Sequence, residues 1–292
     1  MAATQRGNPW VAEGVDLVRA VSGGLLFGIP LLYTMEVWWV GTYTAPSRVL
    51  AVLLLTFLPV WFLNRTSGFR SGKDVRLSDA AIDSIETVAL GILTAGLFLV
   101  LLKEISTSTP LAEAVGKISF EAMPFGIGIA LAQHFLRRGR TDGDGDNASA
   151  GAGGSGDEDR LHATVADLGA TVIGAVFIAF NIAPTDEVPM IANVLGPYSL
   201  LLVMIVSLAV SFCIVFVAGF SAQERRRSQP GIFQHPISET VACYLIALVA
   251  SFVMLWYFQR LDASAPWQET LSHIIVLGLP ASVGGAAGRL AT

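Results

Sequence analysis

Residues Pro197–Phe220 read PYSLLLVMIVSLAVSFCIVFVAGF and contain no Asp, Glu, Lys or Arg. A membrane helix needs about 20 such residues to cross about 30 Å of hydrocarbon. Inside lipid every backbone N–H and C=O must be satisfied within the protein, which leaves helices and closed barrels. A barrel strand would cross in about half this length, so the run is read as a helix. The rest of the chain has the same character. It is 53% hydrophobic and 14% charged, with a mean hydropathy of +0.62, which is too apolar for an ordinary soluble domain.

Working outward from that run, hydropathy predicts about eight spans, an all-α membrane protein. They cover Asp16–Val40, Arg48–Leu63, Asp79–Leu102, Val115–Leu136, Val165–Ala183, Pro197–Phe220, Ser238–Phe258 and His273–Leu290. With the N-terminus in the cytoplasm, 14 basic residues fall inside. Only Arg48, Lys103, Lys117 and Arg260 fall outside. Such a bias orients the chain with both termini cytoplasmic. No cleavable leader is expected, because the first apolar run is too long for a signal h-region. Cys213 and Cys243 both lie within apolar runs, so no disulfide framework is expected. No basic patch with interleaved aromatics points to nucleic acid.

The chain also resembles itself when displaced by about 150 positions. Asp16-Leu17 then meets Asp167-Leu168, and Gly23 meets Gly174. Thr34-Met35-Glu36-Val37 meets Thr185-Asp186-Glu187-Val188. Pro46 meets Pro197, and Gly68-Phe69 meets Gly219-Phe220. Small loop adjustments bring Glu86-Thr87-Val88-Ala89 onto Glu239-Thr240-Val241-Ala242, and Met123-Pro124 onto Leu279-Pro280. Two four-helix repeats are therefore expected, residues 1–138 and 161–292. Residues 139–160, rich in Gly, Ala and Asp, bury too little to fold and should form a flexible cytoplasmic linker. With an even number of spans per half, both halves enter from the same side. The repeats are then parallel, related by an axis along the membrane normal.

The matched positions carry carboxylates, and an ionisable group in hydrocarbon is expensive and functional by default. In the first motif, Glu36 and Glu187 lie near the outer ends of their spans. Pro30 and Pro184 precede them and open the helical ladder, freeing carbonyls. Those carbonyls, the hydroxyls of Thr34 and Thr185 and the carboxylates make an oxygen-rich cluster of the kind hard cations prefer. Asp186 adds charge in the second copy only. The competing account is a solvated cap at the outer interface, near Trp38 and Trp39.

In the second motif, Glu86 and Glu239 lie toward the cytoplasmic ends of their spans, next to Thr87 and Thr240. Glu86 is about 25 Å of helix from Lys103, at 1.5 Å per residue. Glu239 follows Ser238, so it also fits a first-turn carboxylate favoured by the helix dipole alone. No Lys or Arg within the apolar runs is an obvious partner for all four glutamates. Glu121 precedes Pro124, but its counterpart Leu277 is apolar, so it ranks below the matched pairs. The glycines Gly23, Gly24, Gly28, Gly126, Gly128, Gly284, Gly285 and Gly288 are read as helix-packing positions.

The stretches Gly28–Trp39 (GIPLLYTMEVWW) and Ala183-Pro-Thr-Asp-Glu187 resemble a prokaryotic family of integral membrane proteins without assigned function, over most of the chain outside the linker. The resemblance implies a multi-pass protein of a prokaryotic plasma membrane and implies no activity.

The residues themselves lead to cation transport, by a channel or a proton-coupled carrier. Glu36 and Glu187 would form an outer site and Glu86 and Glu239 an inner one. Asp186, Thr34, Thr185, Thr87 and Thr240 would assist. The expected partners are the lipid bilayer and a cation or proton, with self-association left open. No cofactor is expected. An enzyme is disfavoured, since no HExxH, dinucleotide or Walker loop is present. The alternatives are a non-transporting scaffold or sensor and, below that, a lipid-modifying enzyme.

Overall fold

The computed structural model describes residues 9–67, 77–142, 157–217, 236–261 and 264–290, and every regular element among them is a helix. The first half contains α1 (Pro9–Leu32), α2 (Met35–Thr42), α3 (Pro46–Ser67), α4 (Leu77–Leu101) and α5 (Leu111–Asp142). The second contains α6 (Asp157–Ile182), α7 (Glu187–Val194), α8 (Pro197–Phe212), α9 (Pro236–Tyr257) and α10 (Trp267–Leu290). A π-helical turn, Cys213–Val217, extends α8. Each half thus runs long, short, long, long, long.

Among the described residues, seven helices are long and apolar enough to cross a membrane. The bent pair α6–α7, with 89° between its members, supplies an eighth span if counted as one. The outward faces carry Leu54, Leu58, Phe62, Leu93, Leu97, Leu201 and Ile205, all exposed. A water-soluble surface does not carry apolar area of that extent, whereas lipid tails solvate it.

Two expectations need correction. The first span does not run unbroken to Val40: α1 stops at Leu32, and α2 starts afresh at Met35. Thr34 takes extended backbone angles between them, φ −112° and ψ 95°. Pro30, inside the last turn of α1, has no N–H and weakens the ladder just before the break. The second half breaks at the same place. Pro184 cannot continue α6, and the Thr185 hydroxyl donates to the Ile182 carbonyl at 2.7 Å. The second correction concerns the linker. Its ends are helical, because α5 continues to Asp142 and α6 begins at Asp157. Propagating an existing helix costs far less than nucleating one. Residues 143–156 lie outside the described residues.

Glycines set the packing, because apolar tails leave no hydrophobic drive between helices and close backbone approach takes its place. In the first half, Gly23 and Gly128 let α1 and α5 touch backbone to backbone. In the second, Gly174 of α6 meets Gly284 and Gly288 of α10, and a Cβ at Gly174 would collide with the Gly284 carbonyl oxygen. We expect Gly174→Ala to cost about 1–3 kcal/mol through overpacking. Gly169→Ala on the same helix, where a Cβ would meet nothing within 4 Å, should be silent or slightly stabilising. Unfolding midpoints of the two variants in one detergent check this.

The halves meet around α10, the most buried span, with 72% of its apolar window inside the protein against 17% for α3. It contacts α6, α7, α8, α9, α1 and the π-helical turn. Its counterpart α5 packs within its own half, against α1, α2, α3 and α4. Two hydrogen bonds cross between halves at the α1–α2 elbow. The Tyr33 hydroxyl donates to the Val276 carbonyl at 2.6 Å. That carbonyl lies four residues before Pro280 of α10, whose missing N–H leaves it available. In the other direction, the Met35 N–H donates to Glu187 Oε1 at 3.2 Å.

Candidate functional site

The two elbows face each other. Thr34 and Glu36 from the first, Thr185 and Glu187 from the second, line one pocket of about 380 Å³. Pro30, Leu31, Tyr33, Ile178, Asn181 and Ile182 complete its wall. The pocket exists because both long helices stop early, and each elbow turns its next residues toward the other half. Both copies of the Thr-x-Glu motif are therefore brought together.

Their environments differ. Glu36 sits in the first turn of α2 and is exposed. Glu187 is only 5% exposed. Its Oε1 caps α2 through Met35, while its Oε2 is covered and has no hydrogen-bond partner among the described residues. A buried carboxylate oxygen left unpaired is costly, and its persistence calls for an explanation. Asp186 does not line the pocket. It pairs with Arg260 at 2.8 Å, and Arg260 also donates to the Pro184 carbonyl. The break at Pro184 is thereby pinned from outside.

The second motif behaves differently. Glu86 is exposed on α4, and no hydrogen bond or ion pair joins it to Glu239. Glu239 instead pairs with Arg289 of α10, whose guanidinium is 2% exposed and also reaches Asp167 at 3.7 Å. Cys243 Sγ at 3.3 Å and the Phe216 ring at 5.9 Å also lie against it. Here α6, α9, α10 and the π-helical turn converge on one cation. Arg289, in the last turn of its span, is thus the basic partner of Glu239. Among the described residues the first half shows no equivalent: Gln133 takes that level on α5 and receives a long contact, 3.5 Å, from Thr87. The hydroxyls of Thr87 and Thr240 each donate to the carbonyl one turn back, at 2.8 Å. That commits their protons to their own helices.

Two further groups emerge only in three dimensions. Glu121 of α5 is fully buried, and neither carboxylate oxygen has a hydrogen-bond partner among the described residues. The Trp38 indole of α2 lies beside it and acts on its carboxylate, though its N–H falls short of full hydrogen-bond geometry. At the end of α5 that packs on α2, Lys117 is 8% exposed and holds Glu113 at 3.0 Å and Glu104 at 3.7 Å. Burial pushes the Glu104 carboxyl above the usual range, and the Lys117 ammonium pulls it partly back. Lys117 is therefore committed to these two acids.

Among the described residues no three His, Cys, Asp or Glu side chains are grouped to hold a metal ion. Comparison with curated proteins finds no match, and comparison with solved structures finds none. The family model described as "Putative integral membrane protein (DUF2391)" matches residues 16–292. With its spans and lipid-facing surface, the chain is a multi-pass integral membrane protein and belongs to that family.

Proposed function

We propose that the protein moves cations across the membrane, as a channel or a proton-coupled carrier, with the elbow pocket as its outer binding site. One observation carries this reading: the two Thr-x-Glu motifs line a common pocket, and one of their carboxylates is buried there with an unpartnered oxygen. Such an oxygen is satisfied by a cation or a proton. Glu121, ten residues into α5 and about 15 Å along the helix from Leu111, supplies a second unpaired carboxylate.

The chain acts as two duplicated, parallel halves. The common order of long and short helices supports this, as do the two eight-residue helices α2 and α7. The excess of basic residues on one side favours both termini in the cytoplasm, and the family resemblance favours a prokaryotic cell. The Glu239–Arg289–Asp167 cluster fits the other reading, a scaffold in which acidic residues hold helices in place. On this proposal that role belongs to the cluster alone.

Flux into proteoliposomes tests the proposal, with monovalent, divalent and organic cations under imposed pH gradients. Selective uptake above protein-free vesicles is expected. Uptake of no cation, with no proton movement, would leave the scaffold.

A further inference from the structure

The shape and lining of the elbow pocket narrow the class of cation. A dehydrated inorganic ion is gripped by six or more oxygens in a tight shell about 2.0–2.6 Å away. The pocket offers about 380 Å³, more than ten times the roughly 30 Å³ share of one water in the liquid. Its acidic groups are two, and no cluster of three metal-type ligands occurs among the described residues. Its wall is also divided by chemistry. Glu187, Glu36, Thr34, Thr185, Asn181 and Tyr33 contribute oxygens, while Leu31, Ile178 and Ile182 contribute hydrocarbon. A bare ion gains nothing from the hydrocarbon part. A ligand with a cationic head and a short apolar body uses both parts.

We infer that the pocket takes a primary alkylammonium group: its N–H donors meet Glu36, Thr34 and, once the side chain turns toward the cavity, the covered oxygen of Glu187, and its carbon chain lies along Leu31, Ile178 and Ile182. Three donors on one nitrogen can be met by the two carboxylates and the Thr34 hydroxyl. The buried and uncommitted Glu187 Oε2 gains the charge-assisted hydrogen bond that the fold does not supply. The inference rests on the pocket being a cation site, as proposed above, and adds the kind of cation. The same chemistry is available from a soluble amine or from the ethanolamine headgroup of a lipid in the outer leaflet.

Calorimetry on the full chain in phosphatidylcholine nanodiscs, at constant ionic strength, tests it with methyl-, ethyl-, propyl- and butylammonium. Affinity should rise by about fourfold per added methylene, the value of one buried CH₂, until the wall is covered. Potassium and sodium at the same concentration should give no heat of binding beyond dilution. Glu187→Gln should weaken butylammonium by roughly tenfold or more, the size expected for a lost charged hydrogen bond. The amide carbonyl can still accept the Met35 N–H, so the cap survives. Should that variant not fold, the chain-length series on the wild type decides alone. A flat series, or potassium competing on equal terms with butylammonium, would overturn the inference. Repeating the titration with phosphatidylethanolamine in the discs separates the sources. Suppressed amine binding assigns the site to the headgroup, and unchanged binding assigns it to the soluble amine. Amine binding without flux of any cation would defeat transport and leave the ammonium site standing. Flux of inorganic cations without amine binding would do the reverse.

Discussion

Arg289→Met should destabilise the protein by about 3–5 kcal/mol, the usual cost of removing one member of a buried ion pair. The guanidinium is 2% exposed, and Glu239 and Asp167 both lean on it. Methionine fills similar space, so the loss is mainly electrostatic: two carboxylates remain together with no cation. The pairing also joins α6, α9 and α10, so the damage should spread through the second half. Adding Glu239→Met to Arg289→Met should recover much of the loss, because an apolar pair can replace a buried ion pair at little or no net cost. Asp167 is 39% exposed and can turn to water. Unfolding midpoints of wild type, single and double variants in one detergent check the cycle. A single variant as stable as the wild type would show that the cluster contributes nothing.

The largest functional effect is expected at Glu187. Glu187→Gln should abolish most cation flux while leaving the fold intact, since the amide oxygen can keep the cap on α2. Glu36→Gln should cost less, because Glu36 stands at the exposed rim, where salt screens its charge. The double variant should be no worse than Glu187→Gln alone, as partners in one site are strongly non-additive. Initial rates from proteoliposomes at matched protein density give the cycle. Two small effects that simply add would mean that each glutamate is an independent solvated group. Asp186→Asn provides a control, since Asp186 faces Arg260 and not the pocket. It should loosen the elbow more than it changes ion handling.

The helical spans were legible in the sequence because lipid enforces them: a run such as Pro197–Phe220 has no other stable form. The elbow was legible only in part. Thr34 and Thr185 with their neighbouring prolines stood out as a pair, but the expected first span ran through Thr34 to Val40. An apolar count cannot register a break made by one extended residue. Pairing across long separation was hidden. Arg289 sits near a span end, like any interfacial arginine, and its partners lie 50 and 122 positions away. Glu121 ranked low for want of a matching acid at Leu277. That comparison measures duplication and not burial. The usable signal was the residue itself, an uncompensated acid inside an apolar run just before Pro124.

The two bonds that cross at the elbow bear on biogenesis. The ribosome delivers the first half to the membrane while Val276 and Glu187 are still unmade. Until they arrive, the Tyr33 hydroxyl and the Met35 N–H have no mate from the second half. The first half must therefore wait in the bilayer with its elbow unfinished. Completion comes only when α10, which follows the other described helices in the chain, brings the carbonyl that Pro280 has left free. Translation order and structural centrality are opposed among the described helices: the second half closes around, and α1 of the first half rests against, a helix that follows all of them in the chain.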